Sequence, residues 1–223
     1  MQFPNWEEEK KFLEMRKMAI GLDEAGRGPL AGPVVAAAVW FQSDFFNKGK
    51  FYQEDFISKE LKLIRDSKTL SSCQREQAFR FLAENPSFYF GLGQASAEEI
   101  DRLNILNATF LAMRLAVDNL LEKTAGTEEA RSFSPILLVD GNKKIPKIFY
   151  PQRIFTRGDA IIFSIAAASI VAKVTRDKIM KSYHQKYPHY GFARHKGYGT
   201  KEHYANLKRF GPCVLHRKSF RLE

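Results

Sequence analysis

Cysteine is scarce in this sequence of 223 residues, in which Cys73 and Cys213 are the only two. Two cysteines make no disulfide framework, and free buried thiols are the usual state in a reducing cytosol. Long apolar runs are also missing, since the longest uncharged one, residues 160–172, is too short to span a bilayer and is typical of a core helix. Residues 6–11 are charged where a signal peptide would need an apolar region. We therefore expect a cytoplasmic protein with no membrane partner.

Two common nucleotide-binding loops are absent. The segment 20–33 contains Gly26, Gly28 and Gly32, but no lysine follows these glycines as a P-loop requires. The dinucleotide fingerprint has two residues between its last glycines and opens a helix, whereas this segment has three and leads into an apolar run typical of a strand. These differences exclude both nucleotide-binding folds.

Acidic residues are few at the C-terminal end. Residues 173–223 contain thirteen lysines and arginines against three acids, so this segment carries a formal charge of +10 and the first 172 residues are neutral overall. All five histidines lie there too, among several tyrosines. A basic segment interleaved with aromatic residues suits a polyanion with stackable groups, which is nucleic acid. The alternative is a solvated basic surface without a partner.

The segment 20–33 itself carries two adjacent acids, Asp23 and Glu24, between an apolar strand and a glycine-rich loop. Carboxylates flanked by apolar strand residues are costly to bury unless they are paired or bind a metal. The segment therefore indicates a site, and a solvated acidic pair on a turn is the alternative. Neighbouring strand residues point to opposite faces, so a shared metal requires the chain to leave β geometry at Glu24.

The pattern of apolar residues predicts an α/β fold with five strands. The strands are predicted at residues 17–22, 34–41, 87–94, 135–140 and 153–156, and the helices at 1–16, 74–84, 96–101, 105–122, 159–187 and 201–210. Residues 124–134 and 188–199 are predicted as loops. Three early strands followed by alternating helices and strands favour a mixed sheet with helices on both faces. We expect one domain, with a core at 1–187 and a basic C-terminal loop and helix at 188–223 on the substrate-binding face.

Five motifs in order resemble those of the ribonuclease HII family, the type 2 ribonucleases H. They are Gly21–Pro29, Asp66–Ser71, Leu138–Asn142, Gly158-Asp159 followed by Ser164–Ser169, and His195–Thr200. The match extends from about residue 18 to His216–Phe220, nearly the whole chain. The resemblance implies a ribonuclease H-like fold, a mixed five-stranded sheet flanked by helices with a C-terminal helical segment.

The implied activity is metal-dependent hydrolysis of the RNA strand of RNA–DNA hybrids, and of duplex DNA at embedded ribonucleotides, leaving 5′-phosphates. Its implied roles are RNA primer removal and ribonucleotide excision repair. Clustered carboxylates that hold Mg²⁺ or Mn²⁺ suit this chemistry, because hard oxygen ligands suit these ions. By resemblance, Asp23, Glu24 and Asp140 bind the metal and Asp159 is the fourth catalytic carboxylate. All four are expected at strand ends or helix starts, where they can converge.

Some of these assignments have alternatives. Asp159 as the first residue of a helix is also a favourable place for any aspartate. Asp177 is interpreted as a salt-bridge partner, and His195 and His203 as backbone contacts or surface groups rather than catalysts.

Substrate contacts are expected on both sides of the acids. Backbone groups of Gly26, Arg27 and Gly28 are expected near the ribose 2′-OH, which distinguishes RNA from DNA. The resemblance assigns this task to that motif and assigns Tyr198 to stacking on a sugar beside the junction. Charge and position alone suggest phosphate contacts at Ser67, Lys68, Lys173 and Lys196.

Other interpretations remain at this stage. A non-catalytic nucleic-acid-binding protein could use the same scaffold, although all four motif acids are intact. The related type 3 enzymes share the fold but have an additional N-terminal domain, for which we expect no room before Gly21. Residues 42–65 are longer than this family leads us to expect and are interpreted as an insertion of unknown purpose. We expect a monomer.

Overall fold

The computed structural model describes residues 3–47 and 59–223. Its sheet consists of β1 (Lys17–Ala25), β2 (Val34–Phe41), β3 (Phe88–Ala95), β4 (Ser134–Asp140) and β5 (Gln152–Phe155). The strand order is β3-β2-β1-β4-β5, with β1 and β3 antiparallel to β2, and β4 parallel to both β1 and β5. The predicted mixed five-stranded sheet is confirmed.

Helices cover both faces of this sheet. They are α1 (Glu7–Glu14), α2 (Ser43–Asn47), α3 (Ser72–Ala83), α4 (Ala97–Leu103), α5 (Ile105–Thr124), α6 (Glu128–Ser132), α7 (Phe163–Lys186), α8 (Phe192–His195) and α9 (Lys201–Phe210). One face of β1 presents Met18, Ile20 and Leu22 to the core shared with α5. The opposite face packs against α7. The central strand is therefore buried on both sides, which explains its nearly continuous apolar sequence.

Local sequence signals account for several boundaries. The side chain of Ser71 accepts from the backbone of Gln74 at the start of α3, and Ser96 does the same with Glu99 at the start of α4. Both are capping boxes, in which the third-residue side chain returns a bond to the cap. The predicted cap at Ser96 and the predicted helix at 201–210 are confirmed.

Three local predictions are wrong. The predicted loop at 124–134 contains α6, a helix of one turn that is too short to show an apolar period. The predicted loop at 188–199 likewise contains α8. The predicted helix at 159–187 begins only at Phe163, because residues 158–160 form a separate 3₁₀ turn and Ile162 is extended (φ −108°, ψ 123°).

The predicted insertion at 42–65 is partly described. In α2, Phe45 packs against Phe41 and Phe163, with ring centroids 4.5 and 5.9 Å apart. This part of the segment therefore belongs to the apolar core, and residues 48–58 lie outside the described residues. Cys73 is exposed, so the expectation of two buried thiols is wrong for it. None of the described helices is both long and apolar enough to cross a membrane.

Candidate active site

The parallel pairing of β1 with β4 brings two acids together. The last paired residues are Leu22 and Val139, so Asp23 and Asp140 are the next residues of two adjacent strands. Because strand residues alternate between faces, both belong to the face that packs against α7. Asp23 is only 5% exposed, which excludes the interpretation of a solvated acidic pair.

Glu24 reaches the same place from the other face of β1. The strand stays paired with β2 through Glu24–Ala36 and Ala25–Val35, so the predicted departure from β geometry at Glu24 is wrong. Pairing with β4 ends at Leu22, which leaves this edge of β1 open beyond that point. The carboxylates of Asp23, Glu24 and Asp140 all line one cavity of about 370 Å³.

This cavity also contains most of the predicted substrate contacts. In addition to the three acids, its lining includes Gly26, Arg27, Gly28, Ser67, Lys68, Lys173 and Tyr198. Asp159 and Lys196 are not among the lining residues. Tyr198 lies at the rim, 43% exposed, and its ring approaches the position that a Gly28 side chain would occupy.

Asp159 lies near Asp140, in the 3₁₀ turn Gly158–Ala160. The backbone N–H of Gly158 donates to Asp140 Oδ1 at 2.7 Å, and Lys68 Nζ lies 3.7 Å from Asp159 Oδ2. Asp159 is buried, and α7 begins four residues later. The predicted position at the first residue of the long helix is therefore wrong.

Neighbouring donors orient the acids of the cavity. Asp23 Oδ1 accepts from the Glu24 N–H at 2.7 Å, and Glu24 Oε1 accepts from Arg27 at 3.2 Å. Burial, followed by the charges of Glu24 and Asp140, raises the pKa of Asp23 well above its usual range. Burial also raises the pKa of Glu24, against the opposing effect of Arg27, and that of Asp140. A cluster of this kind is stabilised in its charged form by a nearby cation.

The donor chemistry of the cluster fits a hard divalent cation. The oxygens it offers are carboxylate oxygens, which Mg²⁺ and Mn²⁺ prefer, and none of the described residues that line the cavity is a cysteine or a histidine. Within the described ranges, however, no three such side chains already form a group arranged to hold a metal ion. Mutual repulsion among uncompensated carboxylates opposes a closer approach.

The lysines differ in whether their ammonium groups are placed to contact a substrate phosphate. Lys173 Nζ forms an ion pair with Asp177 at 2.8 Å and lies 5.8 Å from the centroid of the Tyr198 ring. This pair confirms the salt-bridge interpretation of Asp177. Lys196 Nζ donates to the backbone carbonyls of Ala193 and Arg194 instead of facing the cavity.

The histidines of the C-terminal segment are more buried than expected. His195, His203 and His216 are all buried, so the interpretation of His195 and His203 as surface groups is wrong. The alternative, backbone contacts, agrees with the contacts of His195 and His203 to the carbonyl oxygens of Tyr190 and Tyr198. His203 Nε2 lies 3.0 Å from His216 Nε2, and His203 Nδ1 lies 3.0 Å from the carbonyl oxygen of Tyr198. These histidines therefore support the loop that carries Tyr198.

Two buried arginines beneath the glycine loop were missed by sequence reasoning. Arg217 donates to the Gly26 carbonyl at 2.6 Å, and Arg176 donates to the Pro33 carbonyl at 2.9 Å. A signal existed for Arg176, which follows Ala172 by four residues and continues a buried stripe of α7. No comparable spacing marks Arg217.

A mixed five-stranded sheet with an acidic cavity at the ends of β1 and β4 is the architecture of a ribonuclease H-type nuclease. Among solved structures, ribonuclease HII of Archaeoglobus fulgidus in its complex with PCNA has the same fold (TM-score 0.65, 22% identity, 92% of this chain and 96% of that one).

Sequence comparison defines the family. The family model for ribonuclease HII matches residues 20–223. Ribonuclease HII of Acetivibrio thermocellus is 44% identical over 96% of this chain and 73% of its own length. Ribonuclease HII of Fusobacterium nucleatum subsp. nucleatum is 48% identical over 92% of this chain and 86% of its own length. The chain belongs to the ribonuclease HII family and is an endoribonuclease of the ribonuclease H type.

Proposed function

We propose that this enzyme is a divalent-metal-dependent endonuclease that cuts the RNA strand of RNA–DNA hybrids and also cuts duplex DNA at embedded ribonucleotides. The observation that carries the proposal is the juxtaposition of Asp23 and Asp140 in one cavity with Gly26–Gly28 and Tyr198. Acids for hydrolysis and groups suited to recognising a sugar thus lie within one site. The proposed roles are primer removal and ribonucleotide excision repair, by a cytoplasmic monomer.

Asp23, Glu24 and Asp140 would hold Mg²⁺ or Mn²⁺, with Asp159 as the fourth catalytic carboxylate. The metal would neutralise charge on the phosphate and lower the pKa of the attacking water. Asp140 is oriented by the Gly158 N–H, and Lys68 adds positive charge beside Asp159. These contacts keep the acids oriented while the substrate phosphate approaches.

Recognition of the substrate is proposed to use two rims of the cavity, one formed by Gly26–Gly28 and the other by Tyr198. Backbone N–H groups of Gly26–Gly28 would hydrogen-bond the 2′-OH of the ribonucleotide, a group that DNA lacks. The Tyr198 ring would stack on the adjacent sugar. Lys68 and Lys173 line the cavity where they could contact phosphates, as could Ser67, whose hydroxyl is 2.9 Å from that of Ser169. Lys196 and the rest of 188–223 would add positive charge to this face.

The proposal is tested with three labelled duplexes containing no, one or several consecutive ribonucleotides. The enzyme should cut the second and third but not the first, with either Mg²⁺ or Mn²⁺, and each cut should leave a 5′-phosphate on the downstream fragment and a 3′-hydroxyl on the upstream one. Binding of all three duplexes without any cleavage would instead favour the non-catalytic nucleic-acid-binding protein.

A further inference from the structure

Arg176 and Arg217 are fully buried cations whose guanidinium groups donate to backbone carbonyls. Both are 0% exposed, and neither forms an ion pair within the part of the chain that the structure describes. Burial lowers the pKa of Arg176 to about 10 and that of Arg217 to about 9, so both remain charged at neutral pH. Buried charge is costly unless hydrogen bonds compensate it. Here the compensation comes from backbone carbonyls.

Arg217 binds the carbonyls at both ends of the glycine loop. Its guanidinium donates to Gly26 at 2.6 Å, to Arg27 at 2.9 Å and to Gly32 at 2.8 and 3.0 Å. In a planar trans peptide the N–H points opposite to the C=O. The N–H groups of Arg27 and Gly28 therefore point away from Arg217, and both residues line the acidic cavity.

Arg176 joins the same loop to the turn that carries Tyr198. It donates to the carbonyls of Ala31 at 3.1 Å and Pro33 at 2.9 Å, and to that of Lys196 at 3.0 Å. One rigid guanidinium thus joins the far end of the glycine loop to Lys196, two residues before Tyr198. Lysine could not reproduce these directions, because its ammonium is a point charge on a flexible chain.

Two glycines make this arrangement possible. Gly26 has φ +99°, and a Cβ atom there would lie 2.0 Å from Arg176 Nε. Gly197 has φ +85°, and its Cβ would lie 2.4 Å from the Ala31 carbonyl oxygen. Both positions require a positive φ and a close approach that only glycine allows without strain.

We propose that Arg176 and Arg217 are positioning residues, which fix the Gly26–Gly28 N–H groups relative to Tyr198 and thereby set selectivity for a single ribonucleotide in DNA. This inference rests on the proposed function. A lone ribonucleotide has one register in which to bind both rims, whereas a continuous RNA strand has many. A change in the distance between Gly26–Gly28 and Tyr198 should therefore reduce cleavage at a lone ribonucleotide more than cleavage of a continuous RNA strand.

The test compares Arg176→Lys and Arg217→Lys with Arg80→Lys, an exposed arginine of α3 that does not line the cavity. We expect each buried variant to lose at least tenfold more kcat/KM on a single embedded ribonucleotide than on a continuous RNA strand. The control should change neither value by more than about twofold. In Arg217→Ala, added guanidinium chloride at a concentration that leaves wild type unchanged should restore part of the lost selectivity.

A second measurement does not depend on cleavage. Amide hydrogen exchange at Leu30 and Gly32, whose N–H groups donate to the carbonyls of Gly197 and Leu215 at 2.8 Å, should accelerate in Arg217→Lys, whereas amides in the middle of α5 should keep their wild-type rates. Equal losses on the two substrates, or unchanged exchange at Leu30 and Gly32, would overturn the proposal. If wild type cuts neither substrate, the proposed function fails, and the exchange measurement still decides whether the arginine holds the loop.

Discussion

Asp23 and Asp140 lie side by side because they are the first residues beyond the last pair of two parallel strands. They are more than one hundred residues apart in the sequence, and the register of the two strands brings them together. Each keeps one oxygen in a hydrogen bond to a backbone N–H, from Glu24 to Asp23 and from Gly158 to Asp140. The site is therefore built into the sheet, and substitutions there should affect chemistry more than folding.

Asp140→Asn should abolish cleavage while keeping or tightening hybrid binding. The amide oxygen can still accept from Gly158, but the substitution removes one negative charge beside the phosphate. Activity should fall by at least about two orders of magnitude, as expected when a metal ligand is lost. Cleavage and fluorescence-anisotropy binding to the same hybrid measure the two effects. Equal loss of both, with a lower Tm, would point to misfolding instead.

Tyr198→Ala should impair cutting at a single ribonucleotide far more than cutting of a continuous RNA strand. The side chain carries no charge, so its contribution is stacking, typically about 1–3 kcal/mol per contact. A long hybrid compensates partly through other registers. The comparison is kcat/KM for both substrates, with Tyr204→Ala as a control outside the cavity lining. Equal losses would mean that Tyr198 only packs the loop.

The sequence predicted the acids of the site better than the residues that hold the surrounding loops in place. Apolar runs ending in Asp23 and Asp140 predicted strands whose ends meet, and the register of β1 with β4 has that arrangement. Glu24 was placed wrongly, because pairing with β2 is a tertiary contact that no local pattern reveals. Arg217 was missed because its partners are carbonyl oxygens nearly two hundred residues away, and backbone acceptors leave no signature in sequence.

The buried histidines should make the free energy of unfolding depend on pH in the acidic range. His216 Nδ1 accepts from the Cys213 N–H, so His216 donates through Nε2 to His203, which in turn donates through Nδ1 to the Tyr198 carbonyl. Burial lowers the pKa of His203 to about 4, below its unfolded value of 6.5. Between these values the unfolded chain binds more protons, so stability is complete above pH 6.5 and falls toward pH 4.

Chemical denaturation from pH 4 to 7 measures this effect. The shift corresponds to a loss on the order of 3 kcal/mol in the free energy of unfolding. His203→Gln should be less stable than wild type at pH 7 but should show a shallower slope. His189→Gln, at an exposed position, should retain the wild-type slope. An unchanged slope in His203→Gln would assign the acid sensitivity to other groups.

Glu9 should give the opposite pH dependence. Its Oε1 accepts from the Ser164 N–H at 2.7 Å at the start of α7, while Oε2 has no partner among the described residues. Burial raises the pKa of Glu9 from 4.5 to about 7. The folded chain therefore binds more protons between pH 4.5 and 7, and this contribution to stability is lost as pH rises through that range.

Glu9→Gln removes the titrating group and keeps an oxygen for Ser164. At pH 8 the variant should be more stable than wild type by about 1–3 kcal/mol, the usual cost of an uncompensated buried polar group. At pH 4.5 the difference should nearly vanish. Thermal unfolding at both pH values tests this, with Glu7→Gln as the exposed control. A variant less stable than wild type at pH 8 would show that the charged form is favoured.

The most direct measurement of the central claim is metal-dependent cleavage by matched aspartate variants. A duplex with one ribonucleotide is incubated with wild type, Asp23→Asn or Asp177→Asn, across a titration of Mg²⁺ or Mn²⁺ and with a chelator. Asp177 is a matched control because it pairs with Lys173 and does not line the cavity. Wild type and Asp177→Asn should cut at the ribonucleotide only with metal, and Asp23→Asn should not cut at all. Cleavage by a folded Asp23→Asn at the wild-type rate, or by wild type in the chelator, would contradict the account.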